Sequence, residues 1–251
     1  MQFNQLFLYK AMKNKSSLLL NKSKCENDSL QIYHFPYSDI SRNLCDLGKM
    51  YINGYGVKKD YFKAKEYFEQ SAKFNNPCAF LYFGEMYEHE MGVKKDYSIA
   101  KKYFEQSANL GFRLAFLKLG YIYYSGYAVK QDYMKARKYF KSSGLSNGFL
   151  NLGFMYEYGK GVEQNYLKAI KYYEKSANLN NSIAMNNLGI IYNCGHGVKK
   201  DYIKAKDYFE KSIELDNHDA IFNLAGLYLD GRGVKQDYSK AKEYYEKLLV
   251  Y

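Results

Sequence analysis

The chain has 251 residues, 47% of them hydrophobic and 18% aromatic, with 37 basic and 26 acidic side chains and a formal net charge of +11. This composition can bury ample apolar surface, which excludes disorder as the state of the whole chain, while the charge keeps acidic partners, nucleic acid and anionic membranes under consideration. No stretch approaches the roughly 20 apolar residues that a bilayer span requires, and Lys10, Lys13 and Lys15 interrupt any signal-like run at the start.

Residues 1–38 carry no repeat. They include a Lys/Asn/Ser-rich stretch over residues 13–27 and Pro36 just before a helix start at Ser38 or Ser41. They read as a non-repeat, partly disordered leader, with a short helix over residues 5–12 that docks on the first unit. From 39 to 251 one phrase recurs six times: a Val, an Asp or Asn followed by Tyr, an Ala, and paired aromatics. The Val markers are Val57, Val93, Val129, Val162, Val198 and Val234, spaced by 36 residues apart from one step of 33. Such a period predicts stacked helix-turn-helix units, none able to cover its apolar face alone.

The fifth unit departs least from the shared pattern. Ala184, Met185, Leu188, Gly189, Ile191 and Tyr192 recur at spacings of three and four, which predicts a first amphipathic helix. Gly195 and Gly197 tolerate positive φ and permit a sharp turn. Asp201 is then placed to cap the second helix, as are Asp60, Asp96, Asp132, Asn165 and Asp237 in the other units. Four residues on stand Ala64, Ala100, Ala136, Ala169, Ala205 and Ala241, which predicts a close approach of two helices. Gly48, Gly84, Gly120, Gly153 and Gly189, with Ala225 in the last unit, recur inside the first helix. A mid-helix glycine costs about 1 kcal/mol relative to Ala, so these predict a contact that needs no side chain, and backbone proximity is the expected compensation.

Departures follow chain order. Glu90 replaces the first turn glycine of the second unit and Ala128 the second glycine of the third, so remodelled turns are expected there. The missing three residues fall between the third and fourth units, making residues 144–148 a candidate kink or hinge. Leu248, Leu249, Val250 and Tyr251 follow the last helix without a polar cap, which points to self-association there or to a longer architecture.

The Leu188, Gly189 and Tyr192 set, the Gly-x-Gly-Val turn, the Asp-Tyr-x-Lys-Ala start and the Tyr-Phe pair of the second helix resemble the Sel-one-like repeat family, which is related to tetratricopeptide repeats. The resemblance covers residues 40–251. It implies an all-α, right-handed α/α superhelix of six repeats that acts as an adaptor for protein complexes. A plain tetratricopeptide array has a shorter period and lacks the Gly-x-Gly-Val turn.

In the first helix of each unit, two positions vary while their neighbours repeat. The first reads Asp46, Tyr82, Lys118, Asn151, Asn187 and Asn223, and the second Lys49, Glu85, Tyr121, Phe154, Ile190 and Gly226. Helical spacing puts them on one face, which lines the concave surface in related superhelices. The candidate partner-binding residues are Tyr82, Glu85, Lys118, Tyr121, Asn151, Phe154, Asn187, Ile190 and Asn223. Asparagines one unit apart suit the backbone of an extended peptide, and the aromatics suit apolar anchors. Tyr51, Tyr87, Tyr123, Tyr156, Tyr192 and Tyr228 repeat and are expected to be structural.

Competing functions find less support. Lysines gather at Lys58-Lys59, Lys94-Lys95 and Lys199-Lys200, each pair followed by Asp, and Arg42, Arg113, Arg137 and Arg232 are the only arginines. Specific nucleic-acid readers lean on arginine forks and exposed aromatics, so a basic platform for RNA or another anionic ligand is the alternative. His34, His89, His196 and His218 lack metal-ligand spacing, and the acidic residues cap or solvate helices, so neither an enzyme nor a cofactor is expected. Cys25, Cys45, Cys78 and Cys194 do not follow the period, whereas a disulfide-stapled array would pair them in each unit. A reducing compartment, the cytoplasm, fits that pattern. The expected function is a non-enzymatic scaffold for protein or peptide partners.

Overall fold

The computed structural model describes residues 39–249, and all regular structure among them is helical. Six pairs follow one another: α1 (Asp39–Asn53) with α2 (Tyr61–Ala72), α3 (Pro77–His89) with α4 (Tyr97–Asn109), and α5 (Arg113–Ser125) with α6 (Tyr133–Ser143). Then come α7 (Ser146–Glu157) with α8 (Tyr166–Ala177), α9 (Ser182–Cys194) with α10 (Tyr202–Ile213), and α11 (His218–Asp230) with α12 (Tyr238–Lys247). Each odd helix packs along its even partner, which packs in turn on the next odd helix, giving an all-α solenoid. The expected leader and its short helix lie outside the described residues.

All six capping residues act as the spacing predicts. Asp60 accepts from the backbone N–H of Phe62 and Lys63, Asp96 from Ser98 and Ile99, and Asp132, Asn165, Asp201 and Asp237 each from the lysine three residues on. Those bonds satisfy otherwise orphaned donors of the first turn. The N–H of each cap also donates to the carbonyl of a tyrosine near the end of the preceding odd helix, Tyr51, Tyr87, Tyr123, Tyr156, Tyr192 or Tyr228, as Asp201 does to Tyr192 at 2.9 Å. One hydrogen bond thus closes each turn.

The substituted turns are not remodelled. Glu90 adopts φ 58° and Ala128 φ 57°, the left-handed conformation that glycine holds at the matching positions. Both residues therefore carry strain that a glycine would not.

The odd-helix glycines meet an aromatic ring of the even helix, not its backbone. A Cβ at Gly48, Gly84, Gly153 or Gly189 would come within 2.3–2.4 Å of Phe68, Phe104, Tyr173 or Phe209. The ring of each even helix lies flat where a side chain would stand, so burial of the aromatic offsets the glycine's helix cost. The six alanines of the even helices are all buried, as expected of close packing. Each unit also stacks one odd-helix tyrosine on one even-helix tyrosine: Tyr51 on Tyr67, Tyr87 on Tyr103, Tyr123 on Tyr139, Tyr156 on Tyr172, Tyr192 on Tyr208 and Tyr228 on Tyr244, with centroids 5.5–5.9 Å apart. These tyrosines are structural.

Buried serines rivet four of the six pairs shut at the other end. The hydroxyls of Ser71, Ser107, Ser176 and Ser212 donate to the carbonyls of Ser41, Pro77, Ser146 and Ser182, each 30 residues earlier, at 2.7–2.8 Å. The third unit differs. Arg113 reaches the carbonyls of Ser143 and Gly144, while the Ser143 hydroxyl donates to Phe140 within its own helix. Here the deletion leaves two residues, Gly144 and Leu145, between α6 and α7, and a Cβ on Gly148 would lie 2.2 Å from the Ser143 hydroxyl oxygen. The expected hinge region is thus a close-packed junction.

Cys45 of α1 and Cys78 of α3 form a disulfide across 33 residues of chain. The bond joins neighbouring units, not the two helices of one, so no pairing within each unit exists for the sequence to display. This overturns the argument from cysteine spacing, and the cysteines give no support to a reducing compartment. Cys194 is free and exposed.

Candidate partner-binding face

The two variable positions of successive odd helices meet one another across the unit boundary. Lys49 of α1 lies over the Tyr82 ring of α3 at 5.8 Å. Glu85 of α3 pairs with Lys118 of α5 at 3.3 Å, joined by Glu88 at 2.7 Å. Burial opposes the charge on Lys118, but the carboxylates of Glu85 and Glu88 together outweigh it and raise the lysine's pKa. Tyr121 of α5 accepts from the Asn151 amide of α7 at 3.0 Å.

At the fourth step this pairing stops. Phe154 of α7 offers no acceptor, and the Nδ2 of Asn187 on α9 is buried with no hydrogen-bond partner among the described residues. At the fifth step Ile190 is equally mute, and Asn223 of α11 donates instead to Asn186 at 2.9 Å. Thus the expected asparagine ladder is not uniform: Asn151 and Asn223 donate within the chain, and the Asn187 Nδ2 has no hydrogen-bond partner among the described residues.

Beneath these residues runs the row of even-helix aromatics. Tyr82 stacks on Phe68 at 5.0 Å, Tyr121 meets Phe140 edge-on at 5.3 Å, and Phe154 meets Tyr173 edge-on at 5.8 Å. The three expected aromatic anchors are therefore half-buried, each backed by a ring and held in place.

Sequence reasoning missed a third position on this face, one turn further along: Glu88, Tyr124, Glu157 and Asn193 in the second to fifth units. Its most unusual member is Glu157, only 9% exposed, whose carboxylate accepts from the Tyr173 hydroxyl. Burial, then the hydrogen bond to Glu157 and that group's charge, push Tyr173 far above the ordinary phenol range, so it stays protonated and donates. The Asn187 amide faces the same oxygen outside hydrogen-bond geometry and pulls weakly the other way. In the column Phe68, Phe104, Phe140, Tyr173, Phe209 and Tyr245, the change to tyrosine among the inner units was the signal available in the sequence. Asn193 adds a buried Oδ1 without a partner among the described residues.

Many lysines elsewhere are already engaged with rings. Lys63, Lys135, Lys168, Lys204 and Lys240 lie 4.1–5.4 Å from the centroids of Tyr51, Tyr123, Tyr156, Tyr192 and Tyr228. Among the described residues no group of three or more His, Cys, Asp or Glu could hold a metal ion, and no helix is long and apolar enough to cross a membrane.

The Sel1 repeat model matches residues 44–73, 78–112, 115–147, 150–181, 182–217 and 218–248. No curated protein matches the chain. Among solved structures, a Sel1 repeat protein from Oxalobacter formigenes is 29% identical with a TM-score of 0.80, the match covering 97% of each chain. The protective antigen c5321 of uropathogenic Escherichia coli, which displays the same repeat fold, is 31% identical with a TM-score of 0.73 over 84% of this chain; the chain spans 46% of that protein. The Cut9–Hcn1 hetero-tetramer of the APC/C is 16% identical with a TM-score of 0.50, over 83% of this chain and 42% of that one, and shares the fold alone. Sel1 and related repeat folds generally serve as non-catalytic scaffolds for protein–protein interaction. Six matched repeats, each coinciding with one helix pair, make this chain a member of the Sel1 repeat family.

Proposed function

We propose that the chain is a non-enzymatic scaffold that gathers protein or peptide partners along the variable face of its odd helices, the concave face of such solenoids, through Tyr82, Glu85, Lys118, Tyr121, Asn151, Phe154, Asn187, Ile190 and Asn223. The observation that carries this reading is the break at Phe154 and Asn187: a face whose residues pair with one another across earlier boundaries leaves a buried donor with no partner among the described residues there. Buried polar groups are ordinarily satisfied, so an unpaired one on a variable face suits a partner's acceptor. The basic-platform alternative rests on the net charge of +11, and the lysine–tyrosine contacts weigh against it.

Affinity capture at two salt concentrations separates the two readings. Salt-resistant protein capture that is lost in a Tyr82→Ala/Phe154→Ala variant, and kept in a variant of the exposed even-helix residues Phe62 and Leu167, supports the scaffold. Recovery of salt-labile nucleic acid supports the alternative.

A further inference from the structure

The variable face has a charge opposite to that of the chain. Its three positions hold four carboxylates, Asp46, Glu85, Glu88 and Glu157, against two lysines, Lys49 and Lys118, in a chain of net charge +11. Both lysines are neutralised on the spot, Lys49 by Asp46 at 3.1 Å and Lys118 by its two glutamates. Glu157 is the exception. It is nearly buried, the hydroxyls that face it, Tyr173 and Tyr158, are neutral, and no Lys, Arg or His among the described residues pairs with it. A carboxylate so placed has given up most of its water without gaining a counter-charge, an arrangement that a cation from outside would complete.

The surroundings of Glu157 narrow the occupant further. Phe154 and the exposed Tyr158 stack at 6.0 Å beside it, and both rings can take the alkyl stem or the planar head of a basic side chain. On the next odd helix, Asn187 Nδ2 and Asn193 Oδ1 are a donor and an acceptor without hydrogen-bond partners among the described residues. That pair matches the C=O and N–H of an extended main chain. Building on the scaffold reading above, we propose that the partner on this face is a cationic, extended peptide segment, one of whose lysine or arginine side chains pairs with Glu157 between the fourth and fifth units.

Net charge alone predicts the opposite preference, since a chain of +11 attracts acidic peptides. The test therefore compares three synthetic peptides of equal length, each carrying one tryptophan: alternating Lys-Ala, alternating Glu-Ala, and alternating Ser-Ala. The protein contains no tryptophan, so the peptide's fluorescence reports binding directly. The Ile190 methyl resonance, assigned with Ile190→Val, reports whether the face is occupied.

The expected result is that the lysine peptide shifts Ile190, binds at least about tenfold more tightly than the glutamate peptide at low salt, and weakens steeply as salt is added. Glu157→Gln, which keeps an acceptor for Tyr173, weakens it by about three- to tenfold. The salt titration on the unaltered chain stands even if that variant folds poorly. Equal or tighter binding of the glutamate or serine peptide with Ile190 shifted overturns the cationic assignment and leaves the scaffold reading intact. Binding of the lysine peptide that leaves Ile190 unmoved also overturns it. If no peptide moves Ile190, both readings fall.

Discussion

The Phe104 ring lies directly on the bare backbone of Gly84, so close that a Cβ on the glycine would stand 2.3 Å from its Cε1. The contact joins the two helices of the second unit, and the same relationship recurs at Gly48, Gly120, Gly153 and Gly189. Gly84→Ala should destabilise the chain by about 1–3 kcal/mol, despite the better helix propensity of alanine, because the ring has no room to retreat. Urea denaturation checks this, and a neutral or stabilising outcome would remove the ring-on-glycine account.

Positive φ at non-glycine residues gives a prediction of the opposite sign. Glu90 and Ala128 hold φ of 58° and 57° at turn positions where other units place glycine. Ala128→Gly and Glu90→Gly should each stabilise by about 0.5–1 kcal/mol, the relief of left-handed strain exceeding the added entropy of the unfolded chain. Thermal unfolding midpoints should rise for both, with Ala128→Gly the cleaner case because no charge is removed.

A serine hydroxyl fastens four of the six pairs. Ser107→Ala leaves the buried Pro77 carbonyl without its 2.7 Å donor and should cost about 1–3 kcal/mol. Ser143→Ala should cost less, because that hydroxyl donates within its own helix, accepts only a long bond of 3.3 Å from the Leu145 N–H, and Arg113 holds the junction instead. Paired denaturation curves that show equal losses would contradict the rivet assignment.

The bond between Cys45 and Cys78 closes a loop of 33 residues and should contribute about 3–4 kcal/mol by the chain-entropy relation. In the unreduced protein, iodoacetamide should label Cys194 and leave Cys45 and Cys78 unmodified until reductant is added. The expected protease digest contains a linked Cys45–Cys78 peptide pair. Free alkylation of Cys78 in unreduced protein would contradict the bond.

The helix pairs, their caps and their turns were legible because each depends on residues near one another in the chain: Asp201 caps a helix that begins at Tyr202, and Gly195 turns the chain just after Cys194. The recurring glycines predict a contact needing no side chain, but the partner is a ring and not a backbone, since spacing alone does not say which atoms approach from another helix. Ser71, Ser107, Ser176 and Ser212 were equally visible as a column, yet a serine in a helix reads as solvated until its carbonyl partner, 30 residues earlier, is placed beside it. On the binding face, the two variable positions were readable by helical spacing. Glu157 was not, because its meaning depends on Tyr173 arriving from the following helix and on the absence of a cation from the unit beyond.

The most direct test of the account places a photo-crosslinking phenylalanine analogue at Phe154, on the variable face, and in a separate protein at Phe62, which is 74% exposed on α2. Irradiated with a bound partner, the protein carrying the probe at 154 should become covalently joined to it, and the protein carrying it at 62 should not. Crosslinking from 62 with none from 154 would contradict the assignment of the odd-helix face as the place where partners bind.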